Sequence, residues 1–254
     1  KEIKNKKRRI KRYFVEFAYD GTNYHGWQIQ PNGNSVQEEL QKALSTIIRE
    51  NIEVVGAGRT DAGVHARRMT AHFETDAAID CAQLAYKLNR LLPRDISVYG
   101  VRPVADDMHA RFSATLRTYH YYIHTRKNPF LRAYSCEMHY DLDFSLMNEA
   151  AAILLQTDDF AAFCKTHTDV KTTLCNVTEA AWTKDADDAW HFRISANRFL
   201  RNMVRAVVGT LIEVGRHRIT IDQFRDIIAS GSRSKAGESM PACALFLEDV
   251  RYDA

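Results

Sequence analysis

The segment from 56 to 63 carries the residues best suited to chemistry. It reads GAGRTDAG, so Arg59 and Asp61 lie two residues apart between glycines. Glycine allows a tight turn and lets a ligand approach the backbone closely. A carboxylate in such a loop can act as a nucleophile or a general base, but an Asp in a turn more often ties the loop through backbone amides. The loop alone therefore leaves both a chemical and a structural role open.

Three familiar ligand-binding patterns do not fit this loop. A dinucleotide fingerprint requires a third glycine where Asp61 stands, and a P-loop requires Gly-Lys-Ser/Thr, whereas Gly63 is followed by Val64. The letters HFE from His72 match the first half of a zinc-deaminase signature, but its second half, Pro-Cys-x-x-Cys, does not follow. We therefore expect no metal and no nucleotide cofactor.

Basic residues are concentrated in three parts of the chain. Residues 1–12 hold eight Lys or Arg against one Glu, although the formal net charge of the whole chain is only +3. The stretches 108–132 and 189–212 contain no acidic residue, and aromatic residues are interleaved with the arginines of the first stretch. Basic side chains neutralise phosphates, and aromatic faces stack unpaired bases. This pattern is compatible with RNA binding and equally with an ordinary basic surface.

Composition and cysteine usage indicate a cytoplasmic globular protein. The apolar fraction is 45%, which excludes a disordered or fibrous chain. There is no run of 18 apolar residues that could span a membrane, and no apolar segment typical of a secretory signal near residue 1. The five cysteines are scattered and form no CxxC pair, which favours reduced thiols over disulfides or a zinc site.

Hydrophobic periodicity predicts the elements that must position the loop. Strands are predicted at 13–19, 52–55, 69–74, 117–124, 176–182, 190–195 and 244–252. Helices are predicted after the capping-box residue Ser35 and at 80–92, 144–156 and 199–214. Alternation along 117–124 puts Tyr119 and Tyr122 on opposite faces. The order of elements favours an α+β fold over a regular βαβ series.

Eight segments spread over nearly the whole chain form one ordered set. They are GAGRTDAGVHA at 56–66, YDGTNYHGWQ at 19–28, SVQEEL at 35–40, HFET at 72–75, HARFSA at 109–114, RTYHYYI at 117–123, NRFLRNMVRAVVGTLIEVG at 197–215 and ALFLEDVRY at 244–252. In this order along the chain, they resemble TruA-type tRNA pseudouridine synthases. One difference from the family pattern is Ala244, which stands where the family usually has glycine.

The resemblance implies an α+β fold of two pseudo-symmetric subdomains, with a largely antiparallel or mixed sheet flanked by helices and a basic cleft between them. The expected organisation is a basic arm at 1–12, an N-terminal subdomain at 13–105 with the catalytic loop 56–66, and a C-terminal subdomain at 106–254. The implied activity is isomerisation of uridine to pseudouridine at positions 38–40 of the tRNA anticodon arm. The family usually acts as a homodimer, without a metal or another cofactor.

Carried over residue by residue, the resemblance also implies a site. Asp61 corresponds to the catalytic aspartate, Arg205 to the arginine that pairs with it, and Tyr119 to the tyrosine that stacks on the uracil. Arg59 corresponds to the arginine that helps to hold the flipped-out nucleotide, and Leu245 to the apolar contact beneath the base.

Arginines outside the Asp61 loop are also expected to bind RNA. Arg198, Arg201 and Arg205 are spaced i, i+3 and i+7, which would form one stripe on the predicted helix 199–214. We therefore expect one of them to turn towards Asp61 and the other two towards phosphate. Arg117 is also expected to contact the RNA.

Two other functions stay open on the residues alone. A non-catalytic RNA-binding protein could use the same basic cleft, although it would gain nothing from a carboxylate at the floor of that cleft. A carboxylate-based hydrolase would need a second acid or a metal cluster near Asp61, and no nearby motif supplies either.

Overall fold

The computed structural model describes residues 10–165 and 171–253. The strands are β1 Lys11–Tyr19, β2 Val55–Gly56, β3 His65–Thr75, β4 Ile96–Val104, β5 Ala114–His124, β6 Cys136–Glu137, β7 Val177–Ala186, β8 Ala189–Ala196 and β9 Leu245–Tyr252. The α-helices are α1 Val36–Ile48, α2 Cys81–Leu91, α3 Phe144–Ile153, α4 Met203–Gly215 and α5 Ile221–Ser230. Short 3-10 helices cover Gly21–Asn23, Leu154–Gln156, Ala161–Phe163, Arg233–Lys235 and Ala242–Ala244. None of the described helices is both long and apolar enough to cross a membrane.

One mixed sheet runs through the whole fold in the order β4-β1-β3-β9-β5-β8-β7. β1 pairs antiparallel with both of its neighbours in this order, and so does β5. Beside this order, β2 pairs antiparallel with β3, and β6 pairs in parallel with β5. The two halves meet where β3 and β9 pair in parallel, through His65 opposite Phe246 and Ala66 opposite Leu247. The predicted α+β class with a mixed sheet is therefore confirmed. The subdomain boundary near 105–107 falls in the connection between β4 and β5, and it stays a prediction.

The core lies on one face of the sheet because apolar residues alternate along the strands. In β1, every second side chain from Tyr13 to Tyr19 is buried in the hydrophobic core. Helix α1 covers this face with Val36, Leu40 and Leu44, and Ser35 caps its start by accepting a hydrogen bond from the backbone of Glu38. Burying a side chain of this size contributes about 1.5–3 kcal/mol, so the apolar faces determine which way each element packs.

Helix α4 is the most deeply buried element of the second half. Eleven of its 13 residues are buried. Its backbone approaches the segment before β9 closely, because Gly209 has no side chain: a Cβ atom there would lie 1.8 Å from the carbonyl oxygen of Glu238. The prediction that the apolar stripe of this region packs against the sheet is consistent with this burial.

The helix prediction 199–214 is wrong at its start. Helix α4 begins at Met203, because Asn202 adopts a left-handed backbone conformation with φ of 65°. Arg198 and Arg201 therefore lie in the turn before the helix, and the predicted single stripe with Arg205 does not form. The periodicity of the apolar residues does not reveal this, because it continues through the turn.

Other predicted bounds also differ from the structure. β1 begins at Lys11, so the last two residues of the predicted arm 1–12 pair with β3. Arg12 is fixed there by Glu74 and by the carbonyl of Met108, 2.9 Å away. Residues 1–9 of the arm lie outside the described residues. β4 was not predicted, and β3 begins four residues earlier than the predicted strand 69–74, at His65.

Candidate active site

The loop that carries Asp61 lies between β2 and β3, at the seam between the two halves of the sheet. It is fixed at both ends by its own backbone: Ala57 donates to the carbonyl of Thr70 at 2.8 Å, and Val64 donates to the carbonyl of Asp61 at 3.1 Å. Gly63 has φ of +76°, a conformation that side chains disfavour. These bonds place the Asp61 carboxylate at the rim of the seam, where its side chain is 26% exposed.

The segment just after β1 supports this loop. Trp27 donates its backbone N–H to the carbonyl of Thr60, and Gly63 donates to the carbonyl of Tyr24, both at 3.3 Å. Gly26 has φ of +94°, and a Cβ atom there would lie 2.4 Å from the carbonyl oxygen of Thr60. The sequence predicted no role in the site for this segment, YDGTNYHGWQ. Its two glycines were the available signal that another backbone approaches closely.

Asp61 lies between two arginines. Nη1 of Arg205 is 3.5 Å from Oδ2 of Asp61, and Nε of Arg201 is 3.7 Å from Oδ1. Nε of Arg205 donates to the carbonyl of Met240 at 2.6 Å. The guanidinium of Arg205 is therefore shared between the carboxylate and a backbone carbonyl, and it does not form a two-bond fork on Asp61.

The two arginines differ in how firmly they are held. The Arg205 side chain is 21% exposed and projects from the first turn of α4, whereas the Arg201 side chain is 57% exposed. The backbone around Arg201 is fixed, since its carbonyl accepts from the N–H of Lys165 at 3.0 Å and the next side chain, Asn202, donates to Ser239 at 2.5 Å. We expected Arg201 to face phosphate, and its exposed guanidinium lies within reach of both Asp61 and the solvent.

Tyr119 lies on the buried face of β5, with its ring edge-on to Phe199 at a centroid distance of 5.0 Å. Burial raises the pKa of its phenol to about 12; the positive charge of Arg117 opposes this shift and the negative charge of Asp61 adds to it. Tyr122 is on the other face, where its hydroxyl donates to Glu248 at 3.0 Å. The predicted separation of the two tyrosines is confirmed.

Leu245 is the first residue of β9 and is buried. It pairs in register with Tyr121 of β5, two residues along from Tyr119, so its side chain shares the buried face of the sheet with both tyrosines. Ala244, which differs from the family pattern, ends the 3-10 helix Ala242–Ala244 and is fully buried.

The remaining predicted arginines are placed differently from one another. Arg59 is exposed on the loop itself, and Arg198 is half-buried at the start of the turn before α4. Arg117 points inward, and its guanidinium donates to four backbone carbonyls at 2.6 to 3.0 Å. The structure thus brings Arg201 and Arg205 to Asp61, whereas the guanidinium of Arg117 forms hydrogen bonds with backbone carbonyls. Within the described ranges, no group of three or more His, Cys, Asp or Glu side chains could hold a metal ion.

Fold and site together define an α+β protein with a single carboxylate, held between two guanidinium groups, at the junction of two half-sheets. The sequence model of one family, described as tRNA pseudouridine synthase, matches residues 17–113 and 150–253, which include Asp61, Arg205 and Leu245. The chain belongs to the tRNA pseudouridine synthase family.

Individual relatives agree with this family. The tRNA pseudouridine synthase A of Bacteroides thetaiotaomicron is 58% identical over 245 residues, which cover 96% of this chain and 91% of that protein. The protein of the same name from Bacteroides fragilis is 58% identical over 244 residues, covering 96% and 97% of the two chains. The one from Bacillus subtilis is 40% identical over 240 residues, covering 93% and 97%.

Proposed function

We propose that the protein isomerises uridine to pseudouridine in tRNA, at positions 38–40 of the anticodon stem-loop, with Asp61 as the catalytic carboxylate and without a cofactor. The observation that carries this proposal is the position of Asp61 on a glycine-containing loop, between Arg201 and Arg205. The name shared by the relatives, tRNA pseudouridine synthase A, supplies the substrate and the reaction.

The reaction is balanced within the nucleotide. The N1–C1′ bond breaks, the uracil rotates, a C5–C1′ bond forms, and C5 loses a proton while N1 gains one. The target base must leave the helical stack first, which costs a few kcal/mol that phosphate and stacking contacts must offset. Asp61 could add to C6 of the uracil, attack C1′ of the ribose, or remove the C2′ proton, and each route needs an ionised carboxylate.

Two arginines supply positive charge beside the Asp61 carboxylate, Arg205 at 3.5 Å and Arg201 at 3.7 Å. Arginine keeps its charge at any physiological pH. Arg205 is the more rigid of the two because Met240 holds its Nε, so it keeps its charge in place when the base enters. The exposed Arg201 can turn from Asp61 towards a phosphate as the substrate binds.

The other residues of the site hold the substrate. Tyr119 stacks on the flipped uracil, and its phenol stays protonated at neutral pH because its pKa is about 12. Leu245 forms the apolar contact beneath the base, and Arg59, exposed on the loop, binds the flipped-out nucleotide. Arg198 binds phosphate beside Arg201.

The proposal includes a basic cleft between the two halves, a homodimer, and action in the cytoplasm, where tRNA is used. The cleft is supported by the two acid-free stretches, 108–132 and 189–212, because the second supplies the arginines next to Asp61. The homodimer and the location follow the family resemblance.

The test is release of tritium from tRNA that carries the label at C5 of its uridines. Wild-type protein is expected to release the label, and Asp61→Asn is expected to abolish release while tRNA affinity stays within a few-fold. Asp187→Asn, a fully exposed carboxylate in the turn between β7 and β8, serves as the matched control and should behave as wild type. Wild-type binding without release would instead favour an RNA-binding protein, and joint loss of binding and release in Asp61→Asn would indicate a structural role for Asp61.

A further inference from the structure

We propose that Arg117 is a positioning residue for this isomerisation, because its guanidinium ties the Asp61 loop to the strand that carries Tyr119 and to the turn that carries Arg201. The proposal rests on the proposed function. It replaces the expectation that Arg117 contacts the RNA with a role inside the protein.

The guanidinium of Arg117 bonds to four separate points of the backbone. Nη1 donates to the carbonyls of Ala114 at 2.9 Å and of Asn197 at 2.7 Å. Nη2 donates to the carbonyls of Ala57 at 3.0 Å and of Arg111 at 2.6 Å. A guanidinium carries four N–H bonds on its two terminal nitrogens, so all four have a partner.

The positions of these carbonyls connect Arg117 to the site. Ala57 lies in the loop four residues before Asp61, and Asn197 lies four residues before Arg201. Arg117 itself is two residues before Tyr119, on the same face of β5. Three chain segments that carry different parts of the site therefore meet at one cation.

Arginine is the side chain that suits this position. Its planar group presents donors in fixed, diverging directions, whereas the ammonium of lysine presents three donors from a single atom. Four carbonyls on three chain segments cannot all be reached from one atom. Burial lowers the pKa of Arg117, and the nearby hydroxyls of Tyr252 and Tyr119 oppose that shift.

A forked contact with a phosphate would require at least one of these bonds to break. Both N–H groups of each terminal nitrogen already donate to carbonyls, so a fork that uses a terminal nitrogen must release a carbonyl. Each carbonyl released removes one of the four points at which Arg117 holds the backbone. The geometry thus favours a role in holding the site over a role in holding RNA.

Two substitutions separate these roles. Arg117→Lys keeps the charge but loses the diverging donors, so a positioning role predicts a fall in the single-turnover rate of about 10²-fold, the effect expected from a displacement of about 1 Å in the site. Arg117→Gln removes the charge. If Arg117 is a positioning residue, the slope of log tRNA affinity against log salt concentration should stay unchanged. If Arg117 contacts a phosphate, the size of that slope should fall by about 1. Both variants should bind tRNA within a few-fold of wild type.

The matched control is Arg251→Lys on the neighbouring strand β9. Arg251 is exposed, and its Nε donates to Asp249 at 3.1 Å, outside the site. This variant should keep the wild-type rate, affinity and melting temperature.

A second measurement does not depend on turnover. Amide hydrogen exchange of the full-length protein should become faster at 57–64 and 197–202 in Arg117→Lys, with helix α2 unchanged. If wild-type protein released no tritium, the proposed function would fail, but faster exchange confined to these two segments would still support Arg117 as their anchor.

Three results would overturn the proposal. The first is a wild-type single-turnover rate in Arg117→Lys. The second is a reduced salt slope in Arg117→Gln together with unchanged exchange at 57–64, which would indicate a phosphate contact. The third is loss of the native circular dichroism in both variants, which would mean that the guanidinium stabilises the whole fold rather than the site.

Discussion

At the scale of single residues, Asp61 has two cationic neighbours of unequal rigidity. Arg205 is bound to a backbone carbonyl as well as to the carboxylate, and Arg201 has its guanidinium in the solvent. The sequence predicted that an arginine would turn towards Asp61, and Arg205 does. It could not predict that Arg201 would approach as well, because this depends on the left-handed backbone of Asn202.

We predict that Arg205→Lys impairs turnover although it keeps the charge. A lysine ammonium cannot hold the carbonyl of Met240 and face Asp61 from two different atoms, so the cation should move away from the carboxylate. The single-turnover rate of tritium release is expected to fall by about 10²-fold, with tRNA affinity within a few-fold of wild type. Undiminished turnover would remove Arg205 from the active site.

At the scale of elements, the structure adds strand β4 and the packing of residues 20–27 beneath the Asp61 loop, which apolar periodicity did not predict. Apolar periodicity predicted α1, α2 and the body of α4, because apolar residues recur there every three to four positions. It did not predict β4, whose residues beyond Val98 are not buried. It also could not reveal that 20–27 packs beneath the Asp61 loop, since that contact is made by backbone atoms.

The close approach at Gly26 leads to a prediction. Gly26→Ala would place a methyl group 2.4 Å from the carbonyl of Thr60 at a positive φ, so the Asp61 loop should shift. The expected cost is on the order of 1–3 kcal/mol in the free energy of unfolding, together with a loss of turnover. Urea denaturation and tritium release measure the two effects.

Gly100→Ala on β4 is the control for Gly26→Ala. No atom lies within 4 Å of a Cβ at Gly100, and its backbone is not left-handed. Its free energy of unfolding should fall by less than that of Gly26→Ala, with turnover unchanged. Equal effects of the two substitutions would contradict the role of Gly26 as a contact surface for the loop.

His120, on the outer face of β5, should make the free energy of unfolding depend on pH. Burial, together with the neighbouring positive charges of His191, Arg193 and Arg67, lowers the pKa of His120 to about 4. Glu248 lies 3.5 Å from Nδ1 of His120, and burial raises the pKa of that carboxyl. Because the folded pKa is below the unfolded value of about 6.5, the contribution of His120 to stability is complete above pH 6.5 and is lost as the pH falls towards 4.

His120→Gln should reduce this dependence. From pH 7 to pH 4.5, the free energy of unfolding measured in urea is expected to fall further in wild type than in the variant. The difference between the two falls should be on the order of 2–3 kcal/mol. His217→Gln is the control because the His217 side chain is 67% exposed. The same pH dependence in wild type and His120→Gln would show that other groups determine the acid sensitivity.

At the scale of the whole molecule, the α+β class and the family could be predicted from the sequence, whereas the sheet order could not. The motifs indicated which segments belong together, because each keeps its place in the chain. The parallel pairing of β3 with β9 joins residues that are about 180 positions apart, and alternation within a strand carries no information about its neighbour. The seam that positions the site is therefore visible only in three dimensions.

Binding of tRNA should depend steeply on salt. Each phosphate that the protein neutralises contributes about −0.7 to −0.9 to the slope of log affinity against log salt concentration. Arg198→Gln should reduce the size of this slope by about 1, and Arg225→Gln, on the exposed side of α5, should leave it unchanged. A flat response in wild type would contradict a cleft that binds phosphates.

The place of β9 has a consequence for synthesis on the ribosome. It is the last of the described strands in chain order, yet it lies in the middle of the sheet between β3 and β5. A nascent chain that has not yet released residues 245–252 from the exit tunnel holds two half-sheets with open edges facing each other, a state prone to mispairing. Any product of premature termination before Leu245 would therefore lack the strand that unites the halves, and quality-control proteases should remove it.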